Sequence, residues 1–209
     1  MRTKALLVAA VLAAGLATSM AQNVYSLNVV GYYNVTIPGL GFKMIANQLD
    51  AADNTLDGAL SGVADGSLFY KWTGAGYSIH EYIEGDGWDP NTSLAPGEGG
   101  FLRNASADPV TVTFVGEVKQ GSLVNEIPAG FSIKSSMVPQ AGGIKSVLGM
   151  PFSEDGGDYI YKWGTSYEIF EYVGEDEWDP AEPAVAVGES FFSRKLNAAT
   201  WTREFTVPQ

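Results

Sequence analysis

Apolar and polar residues alternate along much of the chain in short runs, among them "SLFYKW" at 67–72, "YSIHEYI" at 77–83, "GFLRN" at 100–104 and "VTVTFV" at 110–115. A period of two puts successive side chains on opposite faces of an extended strand, and aromatic and β-branched residues suit a pleated, half-buried surface. Gly, Asn, Asp and Pro interrupt the runs as turns do. With "VYSLNVVGYYNVTI" and "GFKMIAN" upstream, the pattern predicts about six strands in the first half of the chain. Only "NTLDGALSGV" reads as helix, with Asn54 as a cap and Leu56, Ala59 and Leu60 on one side. Its counterpart is "GGIKSVLGM" around Ile144. Both are too short to hold without packing.

The pattern then returns. "LFYKWTGAGYSIHEYIEGDGWDP" from Leu68 reappears as "YIYKWGTSYEIFEYVGEDEWDP" from Tyr159, and "APGEGGFLRN" as "AVGESFFSRK". Order is kept and the offset stays between 89 and 91 residues, which is the mark of a tandem duplication. The division is a leader over 1–21, a first β module over 22–118 and a second over 119–209, joined through "GEVKQGSLVNE". A join without a Pro-rich spacer predicts modules that touch. The fold class that follows is all-β: two tandem homologous antiparallel sandwich- or barrel-like modules, each with about six strands and one short helix. Within each, Pro96-Gly97 fits a type II turn, and Gly188 keeps the residue that supplies the positive φ although Val187 replaces the proline. "TGAGY" and "GTSY" predict hairpins leading from Trp72 to Tyr77 and from Trp163 to Tyr167.

The series "GFKMIAN", "FYKWTGAGY" and "LAPGEGGF" resembles the repeat of largely uncharacterised secreted all-β proteins of environmental bacteria, roughly G-F-x-L-I-x-N, then Y-x-W-x-G-x-x-Y, then a PGEGFF-like turn. The second copy departs at "GFSIKSS", which lacks the Asn, and rests on "YKW", "EWDP" and "VGESFF". The resemblance implies an exported β module and brings no activity with it.

Export is also read from the residues. Arg2 and Lys4 precede an apolar run of thirteen residues, Ala5 to Ala17, followed by small residues at Ser19 and Ala21, the layout of a cleaved secretory signal. A spanning helix needs about 20 apolar residues, so no membrane span is expected after cleavage. The destination is the periplasm, cell surface or medium of a bacterium. Loss of Arg2 and Lys4 removes two positive charges and takes the formal net charge from −12 to −14, which disfavours nucleic acid and anionic lipid as partners. Cysteine is absent, so neither disulfides nor thiol chemistry can contribute.

Candidate chemistry is sparse. The single histidine, His80, aligns with Phe170, so the position reads as an aromatic-sized strand residue rather than a base, and neither a G-x-S-x-G elbow nor a phosphate loop is present. Carboxylates match between the copies (Glu81 with Glu171, Asp89 with Asp179, Glu98 with Glu189), and a glycosidase needs only two; short loops favour structural duty. "EGDGWD" and "GEDEWD" place Glu84, Asp86 and Asp89, and Asp176 and Asp179, as candidate calcium ligands, although the spacing is not that of an EF-hand. Tyr70 and Trp72 point opposite to Phe69, as Tyr161 and Trp163 do to Ile160. One side is core; the other is core or a platform. Trp88 and Trp178, each before Asp-Pro in an apparent loop, and Tyr77 and Tyr167 are the candidate ligand-binding rings. The expectation is an exported, non-catalytic structural or interaction component with a polysaccharide or surface protein as partner. A carbohydrate-binding protein is the alternative and a polysaccharide hydrolase the third reading.

Overall fold

A computed structural model describes residues 29–207, so the leader predicted over 1–21 lies outside the described residues. The chain runs β1 (Val30–Ile37), β2 (Phe42–Ala46), α1 (Leu56–Ala59), β3 (Leu68–Trp72), β4 (Tyr77–Ile83), β5 (Gly87–Asp89), β6 (Gly99–Arg103) and β7 (Val110–Glu117). It continues through β8 (Gly121–Ile127), β9 (Gly130–Lys134), β10 (Gly142–Gly143), β11 (Asp158–Trp163), β12 (Tyr167–Gly174), β13 (Glu177–Asp179), β14 (Ala184–Val185), β15 (Phe191–Lys195) and β16 (Ala199–Phe205). All pairings between these strands are antiparallel.

The two halves have the same strand order. In the first, a sheet β2-β6-β3-β4-β5 is accompanied by a ribbon β1-β7; in the second, a sheet β9-β15-β11-β12-β13 is accompanied by a ribbon β8-β16. The sheets stay open and do not close into barrels. Alternation explains the layering: Tyr33, Val35 and Ile37 of β1 and Val112 and Phe114 of β7 are buried and share one face of their ribbon. They pack on Ile45, Phe69 and Leu102 of the first sheet together with Leu56 and Leu60. Ile127 and Trp201 of the second ribbon cover Ile160 and Phe191 in the same way.

The helices differ from expectation. Helix α1 is a single turn capped by Thr55, whose hydroxyl accepts from the Gly58 amide. Asn54 instead donates to Asp50 Oδ1 and the Ala51 carbonyl, tying the preceding loop. Around Ile144 there is no helix: Val147 and Leu148 both donate to the Gly143 carbonyl in turns, and Glu182 accepts the Lys145 and Ser146 amides.

A third core lies between the two sheets. Met44 and Phe101 from the first and Ile133 and Phe192 from the second are buried together, with Tyr70, Trp72, Tyr161 and Trp163 packed around them. Both faces of the central strands are therefore covered over part of their length, which is why Phe69 and Tyr70, on opposite faces, are both in packed surroundings. Hydrogen bonds across the join are reciprocal: Ala46 donates to the Gly188 carbonyl at 2.9 Å and Ser135 to the Gly97 carbonyl at 3.0 Å. Gln48 adds a buried bridge, donating to Ser135 Oγ and accepting from the Gly188 amide, each at 2.9 Å. At the opposite end of the ribbons, Val118 donates to the Val29 carbonyl at 2.7 Å and Val207 to Gln120 Oε1 at 3.0 Å.

Candidate binding site: an aromatic cleft between the two sheets

The site is built by the strand starts and hairpins that meet at the join. Hairpin bonds from Thr73 to Gly76 and from Gly164 to Ser166 set Tyr77 opposite Trp72 and Tyr167 opposite Trp163 in the strand register. Each half thus presents a Trp–Tyr pair at the end of its hairpin, with ring centroids 5.2 and 5.0 Å apart. Each tryptophan also crosses to the other sheet, Trp72 edge-on to Phe192 at 5.3 Å and Trp163 edge-on to Phe101 at 5.5 Å. Tyr77 and Tyr167 lie close to one another between them. Burial is the main cause that raises the pKa of both phenols, and the neighbouring Tyr77 hydroxyl works against it at Tyr167. Both remain neutral and able to hydrogen-bond at physiological pH.

Around the pair the surface is apolar and open. Tyr77 and Tyr167 are 41% and 40% exposed, and Phe42, Ile79, Phe131 and Ile169 are exposed beside them. A cleft of about 340 Å³ is lined by Phe42, Tyr70, Tyr77, Phe101, Trp163 and Tyr167, within the size range of small-ligand sites, about 300–1,000 Å³. Trp163 also borders a second, more polar hollow of about 500 Å³, to which Asn34, Thr36, Lys43 and Glu189 contribute. A charged row edges the aromatic one: register places Phe42, Arg103, Leu68, Glu81 and Asp89 side by side across the first sheet.

The opposite side of the tyrosine pair is organised differently. There the Trp72 Nε1 donates to the Phe131 carbonyl at 2.9 Å, and the Phe131 ring packs on both Tyr161 and Phe192, with centroids 5.6 and 6.1 Å away. Trp163 Nε1 bonds no protein atom among the described residues, and Phe42 has Tyr70 as its ring neighbour at 5.9 Å.

The residues singled out from sequence fall in different places. Tyr77 and Tyr167 lie at the cleft. Trp88 is 3% exposed and sits in the first core, on short strand β5 rather than in a loop, edge-on to Phe69 and tilted against Tyr82. Trp178 is half-buried on β13, held edge-on by Phe152 and Tyr172. Their rings are engaged by neighbours because the three-residue strands return alongside β4 and β12 and turn the indoles inward.

Of the candidate calcium ligands, Asp86 closes a turn by donating its amide to the Ile83 carbonyl, and the Glu84 amide bonds Asp65. Asp176 pairs with Lys145, and Asp89 and Asp179 face Glu81 and Glu171 across strands. Among the described residues no group of three or more His, Asp and Glu is arranged to hold a metal ion. His80 is buried; its Nδ1 donates to the Pro90 carbonyl, which can only accept, and its Nε2 is hydrogen-bonded to Ser78 Oγ. Glu98 and Glu189 clamp equivalent turns. Each accepts a backbone amide, from Ala95 or Ala186 at 2.8 Å, and pairs with Lys71 or Lys162 at 3.2 Å.

Sequence reasoning missed Phe42, Phe101 and Trp163 as cleft residues. Alternation put Trp163 and Ile160 on opposite sides without saying which of them is core, and the ring that Trp163 meets belongs to the other half. No family model, curated protein or solved structure matches the chain. Among the described residues no helix is long and apolar enough to cross a membrane.

Proposed function

We propose that the chain is an exported, non-catalytic interaction protein of the cell surface or extracellular space, and that the aromatic cleft at the join is its contact face. The observation that supports this most is the position of Tyr77 and Tyr167: two neutral, partly exposed phenols at the centre of an apolar, ring-lined hollow. Exposed apolar surface of this kind, bordered by Arg103, Glu81 and Asp89, is what contact sites have in common. The matched carboxylates support the non-catalytic reading, since Glu98 and Glu189 are occupied in turns and Glu81 lies on an exposed strand. The ring-lined surface favours a second reading within the first, carbohydrate binding, because phenols and an indole offer apolar faces and hydrogen-bond groups together.

Retention tests the proposal. Purified protein is expected to be retained on the cell-envelope fraction of the producing organism or on an insoluble polysaccharide, without releasing soluble product. Tyr77→Ser/Tyr167→Ser should lose that retention while keeping a wild-type circular dichroism spectrum. Equal retention of the folded double variant, or turnover of the retained material, would overturn it.

A further inference from the structure

The two sides of the tyrosine pair are built from matching residues, yet only one is left open. On the Trp72 side the indole N–H is consumed by the Phe131 carbonyl, and Phe131 packs down on Phe192. On the Trp163 side the indole N–H bonds no protein atom among the described residues, and the ring stands between the apolar cleft and the polar hollow. That N–H is not sealed from solvent and is open to a partner from outside the chain. Lys43 makes no ion pair among the described residues and lines the same hollow; its counterpart in the β9 register is Ser132.

We infer that Trp163 is the centre of one saccharide-binding groove, running from Phe42 and Tyr70 across Trp163 to Lys43, Asn34 and Glu189, and that its ligand is an uncharged polysaccharide. This rests on the reading of the aromatic cleft as the contact face and narrows it to one side and one ligand class. Sugars need both kinds of surface, since their C–H faces pack on rings while their hydroxyls donate and accept. The groove supplies rings at one end and, at the other, donors on Trp163 and Lys43 beside the Asn34 carboxamide, whose oxygen Thr113 already holds, and the Glu189 carboxylate, which Lys162 and the Ala186 amide already hold. The lining of the polar hollow holds one cation, Lys43, and one anion, Glu189, the latter paired with Lys162. The chain as a whole carries −12, which repels an acidic polymer. A second copy of the chain is a poor occupant, because an isologous contact would set hollow against hollow and leave the volume unfilled.

Affinity electrophoresis and pull-down against uncharged polymers (cellulose, xylan, mannan, mixed-link glucan) and acidic ones (alginate, polygalacturonate) test this. Wild-type protein should bind at least one uncharged polymer and neither acidic one. Trp163→Phe, which keeps a ring against Phe101 but removes the donor and part of the stacking face, and Lys43→Ala should each weaken binding at least about three- to tenfold, the effect of one hydrogen bond. The matching changes on the other side, Trp72→Phe and Ser132→Ala, should leave it within about twofold, less than such a bond contributes. Binding to no uncharged polymer, preference for an acidic one, or equal losses from both sides would overturn the inference. If the folded Trp163→Phe protein still binds envelope material in a Tyr77-dependent way while no polysaccharide binds, the contact face stands and the saccharide assignment falls.

Discussion

Gly188 shows how a local rule acquires a distant consequence. Its φ of +76° suits glycine, as the turn pattern predicts, but the stronger constraint comes from the other half of the chain. A Cβ there would lie 2.6 Å from Val35 Cγ2 and 2.8 Å from the Tyr33 ring. Gly188→Ala is expected to cost on the order of 2–4 kcal/mol, combining left-handed strain with overpacking. Gly74, at φ +96° with nothing within 4 Å of the added atom, should cost about 1 kcal/mol. Urea unfolding of the two variants measures the difference, and equal losses would show that the contact between halves contributes nothing.

The same scale holds an ion pair that the repeat pattern does not announce. Lys195 and Asp158 are buried together in the second half, and Asp158 also accepts the Ser153 and Leu196 amides at 2.9 Å. Where the second half has this pair, the first has Asn104 and Ser67, with Ser67 Oγ accepting the Ala105 amide at 3.2 Å. Lys195→Met should destabilise by about 3–5 kcal/mol, because the carboxylate is left buried without its cation. Asp158→Ser/Lys195→Asn, which installs the first half's solution, should recover most of that loss in thermal unfolding.

At the scale of elements, the strands and the place of the first helix were legible, whereas that helix's cap and the fate of the segment around Ile144 were not. Strand β4 lies at 77–83 as the alternation places it, because a period of two with one face against a core leaves little freedom of register. The helical segments depended on side chains far along the chain. Glu182 takes the amides near Ile144, and the Asn91 carboxamide accepts from Asp57 in the first turn of α1 at 3.4 Å. Short-range patterns carry no record of such partners. Candidate rings divided for the same reason. Tyr77 and Tyr167 follow hairpins whose tips reach the join, whereas Trp88 and Trp178 are drawn inward by strands too short to show a period.

The hairpin starts also carry a pH prediction. Tyr77 and Tyr167 have pKa values raised by burial, so above a pH of about 10 the unfolded chain loses phenolic protons that the folded chain keeps. Their contribution to stability is complete below that pH and is lost as pH rises through the folded-state values. Tyr77→Phe/Tyr167→Phe should therefore flatten the alkaline fall in stability, read as the slope of the urea midpoint against pH. An unchanged slope would place the titration elsewhere.

For the whole molecule, the third core decides the behaviour. Met44, Phe101, Ile133 and Phe192 are buried only because the two sheets meet, and separating them would expose all four, at about 1.5–3 kcal/mol for each fully buried large apolar side chain. The halves are expected to unfold together in one calorimetric transition with matching van't Hoff and calorimetric enthalpies. Two resolved transitions would mean that the join is weaker than its burial implies.

The bonds from Val118 to Val29 and from Val207 to Gln120 place residues 29 and 207 beside the segment that links the halves. The covalent passage from one half to the other is thus one of two neighbouring routes. A circularly permuted chain, opened after Lys119 and closed by a short flexible tether between residues 207 and 29, should fold to the same structure with nearly the same melting temperature.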